Sequence, residues 1–281
     1  MRALAGADVM WNRLPIGLRA VLTGIVIGLA AANVWPLLLI KLGMPLAAGA
    51  EALFLTLYIA WARGGGPPKS WKAARAEAFR SRRLSAGDWA WGLIAAVAFA
   101  ATVHAAMVVL FRLVPFPATA FHAGYDFSFV PDRTMQWIAV VASAASAGIC
   151  EETGFRGYMQ VPIEKRHGAF AAILVSSLFF MLLHLNKDWA LIGMVPIVFG
   201  AGLLLGLMAW ASRILVFCMI GHTIMDVGLF AYWWTQIAGT FSQRPISETG
   251  MDLSFFVECG ALGAALLVTL IAIWRLRRRA A

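Results

Sequence analysis

Apolar runs long enough to cross a bilayer recur along this chain of 281 residues, and they restrict it to a helical membrane protein. A spanning helix needs about 20 apolar residues, and the sequence offers eight segments near that length. Only 13% of the residues are charged, whereas a soluble domain has roughly 25%. We therefore predict an all-α bundle of about eight transmembrane helices, with residues 1–281 forming a single integral membrane domain. The predicted spans are Val21–Ile40, Pro45–Trp61, Trp89–Val114, Met135–Ile163, Ala169–Leu185, Trp189–Ser212, Ile214–Ile237 and Ser254–Trp274.

The charges in the loops predict the orientation of these spans. Eight crossings place the basic loop 63–88, Lys165–His167, Arg213 and the tail 275–279 on one side of the membrane. By the positive-inside rule that side is cytoplasmic, so both termini and loop 63–88 are predicted to lie in the cytoplasm. Within the loop, residues 70–79 fit either an interfacial amphipathic helix or a solvated basic linker. As a helix, the segment would have Trp71, Ala74, Ala78 and Phe79 on one face and Lys72 and Arg75 elsewhere.

The net charge of +9 does not indicate a nucleic-acid partner, because the basic residues cluster at span ends, where they would face anionic lipid. The high content of Ala, Gly, Trp and Arg is typical of a bacterial protein, so we expect the bacterial inner (plasma) membrane. Three cysteines in apolar segments form no disulfide framework. The oligomeric state is not specified by the sequence.

Two carboxylates and a guanidinium lie inside the predicted fourth span, as Glu151, Glu152 and Arg156. Each such group costs about 2.5–3.5 kcal/mol to insert at the centre of a helix, so these residues are rare and usually functional or paired. Glu152 and Arg156 are four residues apart, which predicts an ion pair on one helix face. Glu151 points about 100° away from that face, which leaves it available as a general base.

Two later spans carry polar pairs of their own. His222 and Asp226 are one helical turn apart, so the carboxylate is placed to orient the imidazole. Phe180 and His184 are also one turn apart, which predicts a ring packed beside the imidazole. Each piece alone has a structural alternative, either an ion-pair clamp or a satisfied buried histidine, as we expect for His104. Together the three pieces favour one buried site.

The motifs Glu-Glu-x-x-x-Arg, Phe-x-x-x-His and His-x-x-x-Asp follow one another across consecutive spans. In this order they resemble the CPBP family, the type II CAAX prenyl endopeptidases and their bacterial Abi relatives. The resemblance covers about residues 140–237, which we take as the catalytic core, and the family has Asn or Asp at the position of Asp226. It implies an intramembrane endopeptidase that cleaves a membrane-associated peptide or a lipidated protein.

The resemblance also implies a role for each site residue. Glu151 and His184 would activate a water, His222 and Asp226 would stabilise the oxyanion, and Glu152 and Arg156 would organise the site. In a metal-dependent version Glu151, His184 and His222 would be candidate zinc ligands. Because the chain has no His-Glu-x-x-His helix, we favour metal-independent water activation and keep zinc as the alternative cofactor.

Two other classes of function remain open at this point. Buried Glu and His residues also form proton relays, so a proton-coupled carrier is the first alternative. The absence of an internal repeat gives an inverted-repeat carrier no support. A non-catalytic membrane scaffold is the second alternative, although a scaffold does not need all three motifs.

Overall fold

The structure is a computed structural model that describes residues 11, 13–122, 127–130, 132–185 and 193–280. These residues form helices joined by turns, with no strand among them. The helices are α1 Ile16–Ala32, α2 Val34–Leu42, α3 Leu46–Ala62, α4 Lys72–Ala78, α5 Ala86–Leu113, α6 Ala118–His122, α7 Arg133–Glu152, α8 Gln160–Leu182, α9 Val195–Ser212, α10 Val216–Gly228, α11 Ile246–Thr249 and α12 Leu253–Ala280. Two π-helical segments, Thr153–Met159 and Leu229–Trp234, continue α7 and α10.

Six helical stretches in the described residues are long and apolar enough to cross a membrane. One of them, Arg133–Leu182, is 50 residues long, and a straight helix of that length would measure about 75 Å. Gly168 divides it, because its φ of 83° is a left-handed conformation that glycine adopts without a steric penalty.

The predicted eight spans can be matched to these stretches. The two halves of Arg133–Leu182 correspond to the predicted fourth and fifth spans. The 17-residue helix α3 corresponds to the predicted second span, although it is shorter than the other crossing helices. Residues 189–192, at the start of the predicted sixth span, lie outside the described residues. The prediction of an all-α membrane bundle is confirmed.

Ion pairs between residues near the helix ends show which ends of the helices lie together. Arg80 pairs with Glu164 at 2.5 Å, and Glu164 also pairs with Arg213 at 2.8 Å. Arg279 pairs with Asp88 at 3.2 Å. Loop 63–88, the first residues of α8, the turn before α10 and the last residues of α12 therefore meet at one end of the bundle, which we call the basic end.

The other end of the bundle is held by a buried arginine that the sequence analysis did not single out. Arg112 ends α5 and pairs with Asp252 at 3.0 Å and with Glu258 at 3.2 Å, at the start of α12. Arg133, which begins α7, donates a hydrogen bond to the carbonyl of Ile237. We call this the opposite end.

Loop 63–88 is folded against the bundle, so the solvated-linker alternative is wrong. It contains the short helix α4, but the buried face of that helix includes Arg75, which the amphipathic prediction placed on the polar side. Arg75 donates hydrogen bonds to carbonyls of the Gly65–Pro68 turn, and its guanidinium lies 5.0 Å from the ring centroid of Trp61. These carbonyls satisfy the buried charge. Trp71, predicted on the apolar face, is 61% exposed.

Glycines allow the helices that carry the site to approach closely. A Cβ atom added to Gly148 on α7 would lie 2.4 Å from the hydroxyl of Thr223 on α10. A Cβ at Gly202 on α9 would lie 3.1 Å from the Cα of Ser177 on α8. Small residues at such crossings let helices pack closely in membranes. The same crossings bring the three sequence motifs to one level of the bundle.

Candidate active site

A cavity of about 90 Å³ lies among α5, α7, α8, α9 and α10. Four of the predicted site residues line it, namely Glu151, His184, His222 and Asp226. The other two, Glu152 and Arg156, are wholly buried beside it and do not line it. The remaining wall is apolar, formed by Val103, Ala147, Phe180, Met194, Ile197, Val198, Ala201, Met225, Leu229, Phe230 and Trp234.

A π-helical segment adjoins each acidic motif. Thr153–Met159 begins directly after Glu152 and includes Arg156, and Leu229–Trp234 begins three residues after Asp226, where α10 ends. Such segments are rare and often occur at functional sites, because the wider turn changes where side chains point. Nothing in the hydrophobic pattern of the sequence predicted either of them.

Glu152 joins two helices through one carboxylate oxygen. Its Oε1 atom lies 3.2 Å from Nη1 of Arg156, so the predicted ion pair is present. The same oxygen accepts a hydrogen bond of 2.8 Å from Nδ1 of His222 on α10. The sequence did not indicate this second contact, because it depends on the packing of α7 against α10. Glu152 therefore fixes the imidazole of His222 as well as the guanidinium of Arg156.

The guanidinium of Arg156 connects the acidic motif to α9. Its Nη2 atom donates to the carbonyl of Gly202 at 3.3 Å, and its Cζ atom lies 4.5 Å from the ring centroid of Phe180. One turn further on, Gln160 donates to the carbonyl of Gly206 at 3.0 Å. Gln160 is fully buried and was also missed, although a polar residue four positions after Arg156 in an apolar span was a usable signal.

His222 is held on both sides of its ring. Besides the bond from Nδ1 to Glu152, its Nε2 atom lies 3.4 Å from Oδ2 of Asp226. The ring also meets Phe180 edge-on, with the centroids 5.8 Å apart. These contacts fix the orientation of the imidazole, and the longer distance to Asp226 makes that side the weaker of the two.

His184, two residues after the end of α8, also lines the cavity. Its Nδ1 atom lies 2.7 Å from the carbonyl oxygen of Phe180, and its ring packs on that phenyl ring with centroids 4.7 Å apart, as predicted. Since a carbonyl only accepts, Nδ1 carries the proton of this bond. In the neutral ring Nε2 is then the acceptor nitrogen.

Glu151 differs from the other acids of the site because it forms no ion pair within the described part of the chain, whereas Glu152 and Asp226 each pair with His222. Its Oε2 atom is buried without a hydrogen-bond partner, as is the Oε2 atom of Glu152. Its carboxyl group is nevertheless within electrostatic range of His222, His184, Asp226 and Glu152. Glu151 is therefore the acid that lines the cavity and takes no part in the ion pairs around His222.

The zinc ligand set considered from the sequence consists of Glu151, His184 and His222. Both ring nitrogens of His222 face carboxylates, Nδ1 that of Glu152 and Nε2 that of Asp226. In the residues that the structure covers, no cluster of three or more His, Cys, Asp or Glu side chains has a geometry suited to a metal. We therefore derive no step through a metal ion.

His104 is a satisfied structural histidine, as predicted. Its Nε2 atom lies 3.1 Å from the carbonyl of Met225, and its Nδ1 atom accepts from Nε1 of Trp233 at 3.2 Å. The indole N–H only donates and the carbonyl only accepts, so Nε2 carries the proton. His104 does not line the cavity.

A comparison with protein families found one match, over the part of the chain that holds the site. A family model described as "Type II CAAX prenyl endopeptidase Rce1-like" matches residues 131–228. The match includes all six residues predicted for the site. Searches among curated proteins and among solved structures found no match. The chain therefore carries, within an integral membrane helix bundle, a domain of the Rce1-like family of type II CAAX prenyl endopeptidases.

Proposed function

We propose that this protein is an intramembrane endopeptidase in which Glu151 activates a water for attack on a peptide bond. Its substrate is a membrane-associated peptide or a lipidated protein. The observation that carries the proposal is the pairing of the acids: Glu152 and Asp226 are engaged with His222, while Glu151 lines the cavity and forms no ion pair with a described residue.

The water-activating pair is Glu151 with His184. A general base must come within about 2.6–3.2 Å of the water whose proton it takes. The Glu151 carboxylate accepts that proton while the hydroxide adds to the peptide carbonyl and forms a tetrahedral intermediate. When the C–N bond breaks, the same proton passes to the leaving amine. Nε2 of His184 accepts the second hydrogen of the water and so aims its oxygen at the carbonyl.

His222 is the donor to the oxyanion. Its Nε2 side has only the 3.4 Å contact to Asp226, so an oxyanion next to this atom can compete for the proton. An ionised carboxylate only accepts hydrogen bonds, so Asp226 steers the imidazole and does not itself bind the oxyanion. Glu152 holds the other nitrogen at 2.8 Å, which keeps the donor in place.

The proposal is tested with purified protein in detergent or liposomes and a set of membrane-anchored peptides. We expect Glu151→Gln to lower the cleavage rate by about 10²–10⁴-fold, the usual contribution of a positioned acid or base. The matched control is Glu248→Gln, the same chemical change at an exposed position.

Equal cleavage by the wild type and Glu151→Gln would refute the assignment. A proton-driven flux that is lost in Glu151→Gln, without any peptide cleavage, would show a carrier instead. Unchanged function after combined alanine substitution of Glu151, His184 and His222 would show a scaffold.

A further inference from the structure

His104 on α5 joins this helix to the stretch of chain that carries Asp226. Its Nε2 atom donates to the carbonyl of Met225 at 3.1 Å, and its Nδ1 atom accepts from the indole N–H of Trp233 at 3.2 Å. The first partner lies on α10 and the second on the π-helical segment that continues it. Asp226, the acid that contacts His222, directly follows the first partner. One imidazole ring therefore ties the stretch from Met225 to Trp233 to a different helix.

The helix satisfies the carbonyl of Met225 only in part, because this carbonyl lies where α10 passes into the π-helical segment. In a regular α-helix it would receive the N–H of Leu229 for itself. Here that N–H is shared between the carbonyls of Met225 and Asp226. Met225 is buried, and an incompletely bonded carbonyl away from water is costly. The N–H of His104 supplies the hydrogen bond that the helix does not.

Gly228 is the residue that lets the imidazole approach this part of α10. A Cβ atom at Gly228 would collide with Nε2 of His104. A side chain at this position would therefore push the ring away from the carbonyl of Met225 or displace the helix. The close contact between α5 and α10 is thus made at the turn that carries Asp226.

The contact that this part of the backbone controls is the longer of the two made by His222. Nδ1 of His222 is held by Glu152 at 2.8 Å, whereas Nε2 lies 3.4 Å from Oδ2 of Asp226. Because 3.4 Å is already beyond the usual range of a hydrogen bond, a small movement of the backbone at Met225 would lose this contact. The ring of His104 also lies within electrostatic range of the Asp226 carboxylate.

We propose that His104 is a positioning residue for the peptidase reaction. By holding the carbonyl of Met225, it keeps the carboxylate of Asp226 in contact with Nε2 of His222, the nitrogen that donates to the oxyanion. His104 does not line the cavity, so it touches neither the substrate nor the reacting atoms. This inference rests on the proposed function, and it gives a role in the reaction to a histidine outside the three sequence motifs.

Three single variants of the whole chain, purified in detergent, test the assignment. His104→Phe keeps an aromatic ring but removes both hydrogen bonds. His104→Gln keeps a donor for the carbonyl of Met225 and an acceptor for the indole of Trp233. Thr102→Val is the matched control, because Thr102 lies on the same helix and makes its interhelical hydrogen bond to Thr269 on α12.

We expect His104→Phe to lower kcat for membrane-anchored peptides by about tenfold, roughly the effect of one hydrogen bond, with little change in KM. His104→Gln should recover most of the lost rate. Thr102→Val should leave kcat unchanged, even if its unfolding temperature falls as far as that of His104→Phe. The proposal is overturned if kcat is unchanged in His104→Phe, if Thr102→Val loses as much, or if His104→Gln is no faster than His104→Phe.

A double variant tests whether His104 acts through Asp226. If it does, His104→Phe should have almost no further effect on the rate of Asp226→Ala, which has no carboxylate to position. If the two losses multiply instead, His104 acts independently of Asp226 and the proposal fails.

A measurement that needs no catalysis separates this inference from the proposed function. The chain has five histidines, so NMR of the ring nitrogens in protein with isotope-labelled histidine gives few signals, and His222→Gln identifies those of His222. We expect the Nε2 signal of His222 to shift in His104→Phe in the same direction as in Asp226→Ala, and to stay in place in Thr102→Val. An unshifted signal in His104→Phe would contradict the proposal. If Glu151→Gln still cleaved peptides, the proposed function would fail while the NMR result kept its meaning.

Discussion

The site around Glu152 and the cluster around Arg112 contain the same chemical groups, but they differ in whether every neighbouring acid is paired. Each places a buried guanidinium between helices beside carboxylates. At the opposite end Arg112 contacts both Asp252 and Glu258, so both neighbouring acids are engaged. At the site Arg156 takes only Glu152, and Glu151 retains an unpartnered oxygen that faces a cavity. Buried charge alone therefore does not mark chemistry; what sets the site apart is an acid that lines the cavity and takes no part in the surrounding ion pairs.

Glu152→Gln should have the largest effect on stability, because it leaves the buried Arg156 without its carboxylate. Removal of one partner of a buried pair costs about 3–5 kcal/mol. Glu258→Gln is the matched change in the other cluster, where Asp252 still pairs with Arg112. We expect a clearly larger fall in the thermal unfolding temperature for Glu152→Gln, measured in detergent. Equal losses would show that the two clusters are energetically alike.

Asp226→Asn should have a moderate effect on cleavage. The asparagine keeps the shape of the side chain, and its amide oxygen can still accept from Nε2 of His222. We expect the rate to fall by at most about tenfold, equivalent to roughly one neutral hydrogen bond. Asp226→Ala should be slower than Asp226→Asn, since it offers His222 no acceptor. If the two variants cleave equally fast, Asp226 does not position His222.

The smallest effect is expected at Asp252, and it should depend on pH. The backbone N–H of Phe255 and then the guanidinium of Arg112 hold the pKa of Asp252 below its usual value. A carboxyl group whose pKa is lowered by folding stabilises the protein above its ordinary pKa, and this stabilisation is lost as the pH falls through the folded value.

Asp252→Asn should therefore lower the unfolding temperature at pH 7 and have a smaller effect in acid. Thermal unfolding of the wild type and the variant in detergent, measured over a range of pH, checks this expectation. A difference that is the same at neutral and acidic pH would contradict it.

Local spacing predicted the contacts within one helix. The pair of Glu152 with Arg156 and the packing of Phe180 on His184 both follow from four-residue separations, and both are present. The apolar runs likewise predicted the all-α membrane bundle. These features depend on helical periodicity, which is a property of the sequence itself.

Helical periodicity did not predict the contacts between helices that are far apart in the sequence. The bond from His222 to Glu152 joins residues 70 positions apart and depends on the close approach at Gly148. The burial of Arg75 depends on the carbonyls of a turn whose shape has no periodic signal. The sequence could indicate which groups were costly to bury, but not which partner would satisfy each one.

The π-helical segment after Glu152 sets a constraint on insertions and deletions in related sequences. Its wider turns accommodate residues that an α-helix of the same length would not. Loss of one residue from Thr153–Met159 would rotate everything beyond it by about 100°, so Gln160 would no longer face the carbonyl of Gly206. We therefore expect a one-residue gap in this segment to occur only in relatives that satisfy the buried carbonyl at the position of Gly206 in another way.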